Sequence, residues 1–273
     1  MDLRAKSGLG VTITYSDELW WLLAAGCAVA AVPTLLLLLT DPREIAGAAS
    51  VWAKPLKFQV SLAVHMATLA LAAAFLAEEI RASWLFAALV AVVAVSLIGE
   101  VTYITVQGAR GEPSHFNLTT PFHALMYTLM GIGALLLLLP ALVIGVALWI
   151  RPSAGLDPAL RDALALGFIG SALLTVLVAG HIGSRLSPLV GVEPLGAPRW
   201  PLTGWSRSVG DLRISHFFAT HMMQVVPLAG LAMARLAPLP ISRVTIWLVA
   251  LAWTGATLWL YRIALAGTPI WRA

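Results

Sequence analysis

Six histidines, one glutamate inside an apolar run and a set of loop arginines carry the chemistry this chain is equipped for. Imidazoles bind metal ions and haem iron, and they exchange protons near neutral pH. His115, His216 and His221 are the expected metal ligands, with His65 beside them as a further cofactor-binding residue. A catalytic zinc takes three His or carboxylate ligands and keeps one open position. No His-Glu-x-x-His motif is present, and with Cys27 as the sole cysteine no thiolate cluster can form. The tripeptide Ser-His-Phe occurs at 114–116 and at 215–217, in two segments of similar expected depth. Two imidazoles placed that way suit a metal ion or the axial ligation of a haem.

Glu100 is the costliest residue to place. A bare carboxylate in hydrocarbon is unfavourable by about 3 kcal/mol on insertion scales, so it must be protonated, hydrated or paired. His65, Arg110 and Lys57 are its expected partners. In a catalytic reading Glu100 carries protons, Arg110 clamps an anion and Asp211 orients a histidine. Lys57, Ser61, Gln107, Asn117, Gln224 and Arg213 would then meet the substrate. The plainer alternatives stand beside these. Glu100 can belong to a buried network that fixes helix packing. Serine and threonine stripes commonly satisfy backbone carbonyls. Asp211 can simply bridge locally to Arg213 or Arg207.

The elements that position these groups are membrane spans. The chain is 60% hydrophobic and 11% charged, and its apolar residues come in long runs rather than stripes. Seven runs, at 18–40, 57–77, 83–107, 122–150, 160–186, 214–237 and 241–266, are each long enough to cross a bilayer. The expected architecture is all-α: a single seven-transmembrane-helix domain over 1–273, with a polar, His-rich site in one leaflet half. Alternating directions put the 41–56, 108–121 and 187–213 loops and the C-terminus on one side, here called face B. All six histidines fall in that half.

Polar residues recur at helical spacing on several spans. Lys57, Ser61, His65 and Thr68 share a line on the second, and Ser96, Glu100, Tyr103 and Gln107 on the third. His216, Thr220 and Gln224 align on the sixth, and Thr254, Thr257 and Tyr261 on the seventh. Pro33, Pro140 and Pro227 are sites where a span can kink. Net charge is +4, spread over the flanking loops without a dense basic run, which excludes nucleic acid as the expected partner. More of the cations, Arg272 among them, lie on face B than on face A with its Arg4 and Lys6. The positive-inside rule therefore leans toward a cytoplasmic face B.

Three face-B segments form motifs: Trp52-x-Lys54-Pro55-x-Lys57-Phe58, Arg110-Gly111-x-x-Ser114-His115-Phe116-Asn117 and Gly210-Asp211-Leu212-Arg213-x-x-His216-Phe217. Trp52 and the lysines read as headgroup-level anchors. Together with Gly204-Trp205-Ser206, His221 and Gln224, the motifs resemble those of an uncharacterised bacterial multi-pass membrane family. That resemblance implies a bacterial inner-membrane location and no particular activity. A second likeness, to the membrane hydrolases related to alkaline ceramidases, rests on seven helices and the Ser61-x-x-x-His65 spacing. Their late His-x-x-x-His pair has no counterpart here.

Three functions are compatible with these residues. The favoured one binds a metal ion or haem and carries out redox or hydrolytic chemistry on a lipid-like or quinone-like molecule. The second is a proton-coupled transporter or channel for a small solute, using a Glu100–His65–Gln107 line. The third is an assembly or scaffold protein with the face-B loops as its docking surface.

Overall fold

A computed structural model describes residues 5–6, 12–13, 15–45 and 49–271. Arg4 and Arg272, used in the orientation count, lie outside the described residues, and of Lys6 only the backbone is described. The protein is an all-α seven-helix membrane bundle, with seven helices among the described residues long and apolar enough to cross a bilayer. These are α1 (Tyr15–Thr40), α2 (Ala53–Ala73), α4 (Trp84–Arg110), α5 (Pro121–Ile150), α6 (Pro158–Arg185), α7 (Leu212–Leu236) and α8 (Leu239–Leu265). A one-turn helix, α3 (Glu78–Arg81), sits between α2 and α4. Two-residue strands pair antiparallel as β1 (Ala5–Lys6) with β2 (Thr12–Ile13), β3 (Glu44–Ile45) with β4 (Ala49–Ser50), and β5 (Leu189–Val190) with β6 (Gly210–Asp211).

The second span shifts by four residues from its expected place. It begins at Ala53 and ends at Ala73, because Pro55 fits the first helical turn, where a missing N–H costs nothing. The residues beyond it form α3 instead. Helices α1, α5 and α7 continue through Pro33, Pro140 and Pro227. Leu36, Val95 and Leu135 are more than half exposed, as residues facing lipid rather than water should be.

Contacts within the chain group into two compact units, residues 1–140 and 141–273. In the first, α1 packs on α2, and α4 packs on both. Its core holds Trp20, Met66, Leu69, Leu76, Phe86 and Val90. Arg81 of α3 is buried and bonds Asp17 of α1 at 2.7 Å. In the second, α6, α7 and α8 pack mutually around Ala163, Ala219, Met222, Val226 and Ile246. Small residues let α6 and α7 approach closely, with Gly230 against Ala163 and Gly167 against Pro227.

Candidate functional site

The histidines divide between the units: His65, His115 and His123 in the first, His181, His216 and His221 in the second. Among the described residues no group of three or more His, Cys, Asp or Glu side chains could hold a metal ion. Of the expected metal ligands, His115 lies in the first unit and His216 and His221 in the second. Two of these rings have local partners at Nδ1. His221 Nδ1 donates to the Phe217 carbonyl at 2.8 Å, and the ring stacks on Phe217 with centroids 3.9 Å apart. His115 Nδ1 lies 3.3 Å from Ser114 Oγ. The two Ser-His-Phe copies also differ locally, since 114–116 form a turn before α5 while 215–217 lie inside α7.

The residues that gather around an unsatisfied group are in the first unit. Glu100 lies on the buried face of α4, ten residues before its end, or about 15 Å along the axis. It is 3% exposed, and its Oε1 has no hydrogen-bond partner among the described residues. Gly133 of α5 makes room for it, since a Cβ there would come within 2.5 Å of that oxygen. Lys54, in the first turn of α2, acts electrostatically on Glu100. His65 Nε2 instead donates to the Leu137 carbonyl at 3.1 Å.

Lys54 acts electrostatically on His115 as well, so two of the motif segments converge here. The Lys54 ammonium stands 5.7 Å from the Phe58 ring centroid, and Phe58 lies 5.7 Å from His115. Phe116 and Tyr127 complete the aromatic wall, with their centroids 6.3 and 6.5 Å from His115. Phe116 holds φ +59°, a conformation that costs a bulky L-residue about 1–3 kcal/mol and recurs at functional turns. Asn117 pins that turn: it donates to Pro113 O at 3.3 Å and accepts from Thr119 N and Oγ1.

Burial among the rings, reinforced by the Lys54 ammonium, pushes the His115 imidazole down to about 3. The ring stays neutral in the native state, while an unfolded chain binds a proton near 6.5. Stability contributed by the neutral ring is whole above pH 6.5 and is lost as pH falls toward 3, by at most about 1.4 kcal/mol per pH unit. Unfolding midpoints in detergent between pH 7 and pH 4 should fall more steeply for the natural protein than for His115→Phe. Equal slopes would show that His115 is not the group responsible.

A second network at the same end centres on Glu112, which sequence reasoning passed over. Arg110 donates to Glu112 Oε1 at 3.0 Å, Gln107 Nε2 to Oε2 at 3.3 Å, and His123 Nε2 lies 3.3 Å from Oε2. The Arg110 guanidinium holds the Glu112 carboxyl below its ordinary range. Arg110, expected to clamp a substrate anion, is paired with this neighbour and keeps an exposed side chain. Nearby, Arg43 and Trp52 Nε1 both donate to Asp41, which holds that carboxyl well below the usual range. Trp52 is buried at this bond, so it ties the loop to α2 instead of anchoring at the headgroups.

On α2 the expected polar line is divided: His65 and Thr68 are half-buried. Lys57 and Ser61 are exposed, and the buried positions are Pro55, Gln59, Met66 and Leu69. Gln59 Nε2 donates to Thr105 Oγ1 at 3.3 Å. In the second unit Asp211 caps α7 and accepts from Arg213 N, Arg213 Nε and Ser206 N. Arg213 also donates to Gly204 O at 2.9 Å, which makes it a loop fastener. His216 and Gln224 are half-buried on α7. His181 Nδ1 lies 3.0 Å from Tyr261 Oη, a pairing that neither residue's span reveals.

Fold and site together define a multi-pass helical membrane protein with an unsatisfied acid–lysine–imidazole group in its first unit. Comparison with protein-family models, curated proteins and solved structures finds no match to this chain.

Proposed function

We propose that the chain binds a lipid-like or quinone-like molecule at the face-B end of its first unit and exchanges a proton with the molecule's polar head through Glu100. The observation that carries this reading is the buried Glu100 carboxyl, unsatisfied at Oε1 and within electrostatic reach of Lys54. A carboxyl kept in hydrocarbon without a hydrogen-bond partner is expensive, and such acids mark proton or ligand sites. Lys54 supplies a donor for a carbonyl or ester oxygen, and neutral His115 supplies both a donor and an acceptor. The rings of Phe58, Phe116 and Tyr127 offer apolar faces for a flat ring or the start of a chain. Proton exchange is the step that redox and hydrolytic chemistry on such a molecule share. The motif resemblance supports a bacterial inner membrane as the setting.

The test titrates the detergent-purified protein with a short-chain benzoquinone and with a short-chain diacylglycerol, following intrinsic fluorescence and a pH indicator. One of the two is expected to bind saturably. Lys54→Met should weaken it about tenfold, equivalent to 1.4 kcal/mol. Glu100→Gln should leave binding within about threefold while removing the proton signal, as expected for loss of a proton carrier alone. Binding of neither probe, or identical titrations for all three proteins, would overturn the proposal. Solute-driven proton flux in liposomes without an amphiphile would favour a carrier in its place.

A further inference from the structure

In the second unit, the loop between α6 and α7 builds a feature that the Glu100 site does not use. The β5–β6 pair clamps its two ends, and an isolated bridge between Arg199 and Ser206 narrows it again around the turn at 200–204. Trp200 N donates to Trp205 O at 2.9 Å and Gly204 N to Trp200 O at 2.7 Å, so the turn is fully bonded. Trp200, Pro201, Leu202, Thr203, Trp205 and Trp271 line a groove of about 600 Å³. Trp200 and Trp271 meet edge-to-face at 5.6 Å.

The loop's charges are not balanced. Arg199 is paired with Glu193 and Arg213 with Asp211. Arg207 has no carboxylate partner among the described residues; its guanidinium lies 5.2 Å from the Trp200 centroid, and its buried Nε has no hydrogen-bond partner. An arginine held against an aromatic wall with an unmet donor is a prepared anion contact. In the same loop Val192, Leu195 and Leu202 are 88% exposed or more. The acyl boundary of a bilayer accepts such side chains at lower cost than water does. The loop joins the ends of two spanning helices, and tryptophans of this kind favour headgroup level.

We propose that this groove binds the headgroup of an anionic phospholipid, with the Arg207 guanidinium on the phosphate and the tryptophan rings beside the glycerol and first acyl carbons. Zwitterionic lipid carries a compensating ammonium and gains less from a lone guanidinium. The preference for the anionic lipid should therefore be lost with that one charge, by about five-fold.

The full chain, purified in detergent with an equal mixture of phosphatidylglycerol and phosphatidylcholine, is washed extensively and its retained lipid extracted and counted. The natural protein should be enriched in phosphatidylglycerol. Arg207→Ala should cut the ratio about five-fold, the effect of one arginine at an anionic surface. Arg207→Lys should restore most of it, and Arg235→Ala, at the other end of α7, should leave it unchanged. Leu202→Ser should lower retention of both lipids without changing their ratio. A natural protein without preference, an unchanged ratio in a folded Arg207→Ala protein, or displacement of the lipid by millimolar inorganic phosphate would overturn the proposal.

Discussion

Replacing Arg161 and Arg243 together by methionine is expected to destabilise the second unit by about 3–5 kcal/mol, the usual cost of leaving a buried charge without its partners. Asp162 is fully buried in α6. Its Oδ1 accepts from Arg161 at 2.8 Å and its Oδ2 from Arg243 of α8 at 2.8 Å. Arg161 also lies over Trp149, which meets Trp247 edge-to-face. Either single arginine change should cost much less than half of the double, because one guanidinium still neutralises the carboxylate. Asp162→Ala alone should cost less than the double as well. The two arginine side chains are 30% and 44% exposed and keep their water when the carboxylate goes. Adding Asp162→Leu to the double variant should recover most of the loss, since an apolar core can replace a buried ion pair at little cost. Equilibrium unfolding in mixed micelles measures all five variants. If the triple variant were no better than the double, the carboxylate would not be the source of the instability.

Gly210→Ala is the second large effect. Gly210 lies in β6, and a Cβ there would sit 2.0 Å from the Ala264 carbonyl oxygen and 3.0 Å from Gly267 Cα. Both obstacles are backbone, so no rotamer change relieves the clash; the strand must leave the end of α8. Overpacking of this kind costs about 3 kcal/mol, and here it should also expose the α6–α7 loop. Limited proteolysis between 191 and 205 is the sensitive readout. Gly180→Ala is the control. That glycine is inside α6 with open space where its Cβ would be, so alanine should be neutral or stabilising by up to about 1 kcal/mol. Intact loops and equal stability in Gly210→Ala would mean that β6 does not pack on α8 as described.

Particular residues show how far the site was legible in the sequence. Glu100 announced itself, because a carboxylate in an apolar run is costly wherever the helices end up. Its companion did not. Lys54 reads as an ordinary headgroup lysine until α2 is seen to begin at Ala53, which draws the residue into the helix. Asp162 was hidden for a similar reason. An Arg-Asp pair at the edge of a span looks like a solvated turn, and nothing local says that an arginine 81 residues later will close on it. Glu112 has the same character: its role appears only once Gln107 and His123 converge on it.

The residues by themselves determined the number of spans and their order. Those are local properties, since about 20 consecutive apolar residues meet the bilayer as a unit whatever their neighbours do. Only the tertiary structure decided how each helix is rotated about its axis. On α2 the line Lys57–Ser61 and the line Gln59–Met66 are both chemically plausible inward faces, and packing against α1 and α4 selected the second. That choice is made by contacts between residues distant in the chain, which no single span encodes. It is also why His181 answers to Tyr261, His65 to the Leu137 carbonyl and Glu100 to Lys54.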